Sequence, residues 1–67
     1  MGFDGFPAWL AGEDYNMALK ELKLNNPKLA LFYMQDAARI YKECGIEKPP
    51  GFDEKMQKIK DRVPAYI

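Results

Sequence analysis

The sequence predicts an all-α fold: a small antiparallel three-helix domain with an ordered N-terminal aromatic arm. Three observations lead there. Apolar side chains recur at helical spacing in three successive segments, expected near residues 13–24 (helix A), 27–44 (helix B) and 54–63 (helix C). Those segments are separated by groups that stop helices, Asn25-Asn26-Pro27 and Pro49-Pro50-Gly51. No segment alternates with the two-residue period of a strand, and there is no internal repeat or low-complexity tract.

The arm is residues 1–12, MGFDGFPAWLAG, placed ahead of a single domain at 13–67. Pro7 suits the first position of a short helical turn, and Gly12 is expected to close it. Phe3, Phe6, Trp9 and Leu10 are too much apolar surface for a free tail. Two placements are open: a hook into a partner's groove, with tryptophan as anchor, or a fold back over helix B around Leu31 and Phe32.

Helix A carries Tyr15, Ala18, Leu19 and Leu22 on one stripe, with Glu13 and Asp14 at its start and Lys20 and Lys23 near its end. Helix B is expected to be capped by Asn26, to begin at Pro27 and to stop at a left-handed Gly45. Its core face is Ala30, Tyr33, Met34, Ala37, Tyr41 and Cys44, which makes Cys44 an expected buried thiol. Leu29, Leu31, Phe32 and Ile40 lie off that face, so the helix is expected to be covered on more than one side. Helix C is expected to open at Asp53 as N-cap, to bury Met56, Ile59 and Val63, and to end before Pro64. A helix this short is marginal alone and must be held by packing.

Composition excludes much chemistry. The chain has no Ser, Thr or His and one cysteine. A hydroxyl nucleophile, an imidazole base, an N-glycosylation site, a serine-borne prosthetic arm, a Cys/His zinc site and an intrachain disulfide are all ruled out. Gly-rich phosphate loops and calcium loops are absent from the sequence, and its ten carboxylates show no catalytic spacing. No catalytic, metal or cofactor residue is expected, and an enzyme is not the reading.

Ten basic and ten acidic residues cancel, leaving no global field to gather nucleic acid or an anionic membrane. Lys55, Lys58 and Arg62 share a face of helix C, with Lys60 nearby. Glu54 and Asp61 interrupt that face, so it is read as solvated, with weak nucleic-acid binding a distant alternative. No run of apolar residues is long enough to span a membrane. The apolar N-terminus lacks a basic n-region and carries Asp4, unlike a secretory signal. One unpaired cysteine makes an intracellular compartment the expectation.

The segment Ala30-Leu31-Phe32-Tyr33-Met34-Gln35-Asp36-Ala37 has a further meaning. With Ala18 before the Asn-rich turn and Arg62 late in helix C, it resembles the microtubule-interacting-and-trafficking (MIT) domain. The likeness covers about residues 15–62, and tetratricopeptide hairpins share much of the Ala/Tyr spacing. It implies a three-helix bundle whose groove beside the third helix, near Met56 and Ile59, receives a partner's short helical motif. A short helix A, the Pro64 stop and the aromatic arm depart from that pattern.

A chain this short buries only about 60% of its unfolded surface, and one such core seldom supplies more than roughly 3–5 kcal/mol. The function expected is therefore protein–protein interaction. The first form is a small accessory subunit docked through the arm and helix B, at Phe3, Phe6, Trp9, Leu10, Leu31 and Phe32. The second is an adaptor for helical peptides at Met56 and Ile59. The expected partner is another protein, with an oligomer of the chain among the expected states.

Overall fold

A computed structural model describes residues 5–63 of the chain. It contains three helices and, among the described residues, no strand: α1 (Phe6–Lys23), α2 (Pro27–Cys44) and α3 (Phe52–Arg62). The all-α three-helix architecture is as the sequence predicts. Phe3 and Pro64 lie outside the described residues.

The first helix begins earlier than its sequence signals suggest. Residues 6–12 are not a separate arm but the opening turns of α1, which is 18 residues long. Gly5 precedes it, and the Gly5 carbonyl accepts the Trp9 N–H at 2.9 Å. Pro7 occupies the first turn, where its missing N–H costs nothing. Gly12, expected as a stop, sits inside the helix, a loss of about 1 kcal/mol that the flanking turns tolerate. Glu13 and Asp14 are consequently mid-helix and do not serve the helix dipole.

The α1–α2 turn closes a Schellman motif without glycine. Asn26 N–H donates to the Glu21 carbonyl at 2.8 Å and Asn25 N–H to Leu22 at 3.1 Å. Asn25 takes the left-handed conformation (φ 65°), which asparagine tolerates better than most residues. Asn26 is the N-cap of α2 but makes no side-chain cap bond. Its Nδ2 instead donates to Glu21 Oε1 at 3.0 Å. α2 ends on Gly45 in the left-handed region, with Ile46 N–H donating to the Tyr41 carbonyl at 2.9 Å.

α3 also starts early. Gly51 at φ 78° turns the chain, and Phe52, not Glu54, is the first helical residue. The side chain explains the shift. Phe52 is fully buried, its ring centroid 5.4 Å from that of Tyr15 on α1 and 5.4 Å from that of Tyr41 on α2. Asp53 is thus a first-turn residue rather than a cap, and accepts from Lys48 Nζ at 2.9 Å. At its other end α3 reaches back to the first turn, where Arg62 Nη2 donates to Asn25 Oδ1 at 3.2 Å. These contacts set α3 antiparallel to α2, as α2 is to α1.

The core is Ala11 and Ala18 from α1, Ala30, Met34, Ala37 and Tyr41 from α2, and Phe52 and Ile59 from α3. Tyr15, Leu22, Leu31, Tyr33, Ile40, Met56 and Val63 pack against it half-buried. Cys44, expected inside, is exposed. It closes the last turn of α2, one turn beyond Tyr41, where the buried face ends.

Candidate interaction surface

Two stretches of large apolar side chain face outward. On α1 they are Phe6 (57% exposed), Trp9 (60%) and Leu10, continued by Leu24 (59%) just past the helix end. On α2 they are Leu29 and Phe32 (64%). Helix geometry explains Trp9 and Phe32. At 3.6 residues per turn, a residue two positions from a buried one points to the opposite side. Trp9 stands in that relation to Ala11, and Phe32 stands so to both Ala30 and Met34.

The rings are braced by neighbours. Phe6 and Trp9 stack, with centroids 6.1 Å apart, and Phe32 meets the edge of Tyr33 at 5.9 Å. Phe32 also borders a shallow depression of about 390 Å³ shared with Gln35, Asp36 and Arg39. The hairpin keeps the two patches apart: Phe32 lies near the 24–26 turn, Phe6 and Trp9 at the far end of α1. Phe6 and Trp9 therefore do not fold back over Leu31 and Phe32.

The other named residues serve the fold. Ile59 is fully buried, and Leu31 and Met56 are half-buried against the core. Of the eight residues named from sequence, the structure gathers Phe6, Trp9 and Leu10 on one outer face and leaves Phe32 alone on another. Leu24 and Leu29 extend these faces. Leu24 escapes a periodicity reading because it ends the helix, whereas Leu29 is legible as lying off the core face but not as an interface residue.

The one electrostatic feature of note lies beside these patches, between α1 and α2. The Asp14 and Asp36 carboxyls meet there, with Arg39 and Glu43 further along α2. Asp14 Oδ2 is shut off from water and has no partner when ionised. Burial, then the Asp36 carboxyl beside it, push the Asp14 pKa up to about 6. The hydrogen bond from Asp14 and the Arg39 guanidinium hold Asp36 below the usual carboxylate range. Below about pH 6 one proton is thus held between the two carboxyls across the hairpin. Sequence spacing gave no sign of the pair, because the two residues meet only in the folded hairpin.

A second depression, about 330 Å³, is floored by Ala38, Tyr41 and Ile46 and rimmed by Lys42 and Lys48. Lys48 is already engaged by Asp53 and sits 5.8 Å from the Phe52 ring centre. Among the described residues no group of three or more His, Cys, Asp or Glu is placed to hold a metal ion. No described helix is long and apolar enough to cross a membrane. No protein-family model, no curated protein and no solved structure matches this chain.

Proposed function

We propose that this protein is a non-catalytic interaction module, a small accessory subunit that docks into a larger assembly through the outer faces of α1 and α2. The observation that carries the reading is the exposure of Phe6, Trp9, Leu24 and Phe32 on well-formed helices. The rings of Phe6, Trp9 and Phe32 contribute little to the core, whereas rigid aromatic side chains are the usual anchors of protein interfaces. The absence of Ser, Thr and His supports a role without chemistry.

The test is co-purification of the tagged chain from its native cells, comparing wild type with Trp9→Asp and Phe32→Asp. Both variants should keep their helicity and yet leave the complex. A wild-type chain recovered from those cells as a folded monomer with no associated protein would contradict the proposal.

A second reading, the peptide adaptor implied by the MIT likeness, is favoured by one observation. α1 is as long as α2, at 18 residues, which removes one departure from that pattern. Its test is restricted to Met56→Asp, because Ile59 belongs to the core. Peptide binding that survives Met56→Asp would count against it.

A further inference from the structure

We infer that the occupant of the outer face of α1 is a second copy of this chain, paired antiparallel along that helix. The inference rests on reading this face as a docking surface and goes further by naming what covers it.

The face is self-complementary. Trp9, Glu13, Asn16, Met17, Lys20 and Leu24 follow one another at steps of three and four residues, apart from the central Asn16–Met17 pair. They form one stripe on the side of α1 opposite Ala11 and Ala18. All are exposed except the half-buried Met17. Turn a second α1 end for end about the midpoint between Asn16 and Met17. Trp9 then faces the other copy's Leu24, Glu13 faces Lys20, and Asn16 faces Met17. Each match occurs twice, as a two-fold interface requires.

Charge selects this arrangement over its rival. In a parallel pairing Glu13 would face Glu13 and Lys20 would face Lys20, two like-charge contacts. The antiparallel pairing converts both into opposite-charge contacts and also opposes the two helix dipoles. Among the described residues neither side chain is committed within one copy. The ion pairs among described residues are Arg39 with Asp36, Arg39 with Glu43 and Lys48 with Asp53. The Phe6–Trp9 stack supplies a preformed apolar plate at each end of the interface. One 18-residue helix, about 27 Å long, offers a small contact, so the association is expected at the weak end of specific interfaces.

Sedimentation equilibrium of the full chain, from about 1 μM to 1 mM, tests the pairing. The wild type is expected to pass from monomer to dimer within that range. Glu13→Lys and Lys20→Glu should each weaken dimerisation by about tenfold or more. The double variant carrying both changes should recover it, and the two single variants, mixed, should form a heterodimer. Circular dichroism of each variant checks that α1 persists. A monomer at every concentration, or a double variant no better than the singles, would overturn the proposal. If the chain is monomeric while Trp9→Asp still removes it from its native complex, the second copy is refuted and the docking reading stands.

Discussion

α1 and α3 solve the same packing problem in opposite ways. α3 turns its large side chains inward, Phe52 and Ile59, and exposes acids and lysines. α1 buries Ala11 and Ala18 and exposes Phe6, Trp9 and Leu24. Ala11 and Ala18 share one buried cluster with Ala30 and Ala37 of α2, and such small residues let two helix backbones approach closely, so the hairpin is fastened by fit over many turns. α3 is fastened by two anchors. The contrast teaches where the fold ends: on α3 the large apolar side chains hold it, whereas on α1 Tyr15 and Leu22 pack against the core and Phe6, Trp9 and Leu24 are left over.

The largest expected effect follows from removing an anchor. Phe52→Ala deletes the ring held between Tyr15 and Tyr41 and should cost about 3–5 kcal/mol by chemical denaturation. In a chain with so small a core, that is enough to release α3, seen as loss of amide protection there before the hairpin opens. Filling the hairpin seam comes next. Ala18→Leu adds volume where the helices meet with no room and should cost about 1–3 kcal/mol. Equal sensitivity of the outer positions would erase the contrast.

The shared proton sharpens the picture of the hairpin through pH. A carboxyl whose pKa rises from 3.8 to about 6 on folding stabilises the fold fully below 3.8 and loses that contribution as pH climbs through 6. The ceiling is about 3 kcal/mol, and access of water to this half-buried pair reduces it to about 1–2 kcal/mol. Asp36 works in the other direction: its lowered pKa gives stability that is lost as pH falls through it. Asp14→Asn should therefore unfold later than wild type at pH 7 and lose most of that advantage near pH 4. Thermal melts across that range check it, and a constant offset would exclude the shared proton.

The smallest effect concerns the helix signal that misled. A Cβ added at Gly12 meets nothing within 4 Å. Gly12→Ala should raise stability by about 0.5–1 kcal/mol through helix propensity alone. A loss would mean that α1 bends or breaks there.

How much was legible in the sequence depended on whether local signals agreed with tertiary packing. α2 was read at both ends, because Pro27 and Gly45 act locally. α1 was read late, because Gly12 followed by Glu13-Asp14 imitates a helix start, and with it Ala11 was lost from the expected core. Phe52 falls between the helix-stopping Pro49-Pro50-Gly51 and the expected Asp53 cap, yet burial between two tyrosines draws it into α3. Cys44 carried the right periodicity but fell where the covered face ends. For the surface, Phe6, Trp9, Leu10 and Phe32 stood out as surplus apolar residues. Periodicity alone could not tell them from Leu31, Met56 and Ile59, which the fold uses.

The most direct measurement is the unfolding free energy of Trp9→Asp beside wild type, at a concentration low enough to keep both monomeric. If the outer face of α1 belongs to partners, the two should agree within about 0.5 kcal/mol, as surface substitutions usually do. A loss of 2 kcal/mol or more, on the order seen for buried side chains, would place Trp9 in the fold itself and contradict the account.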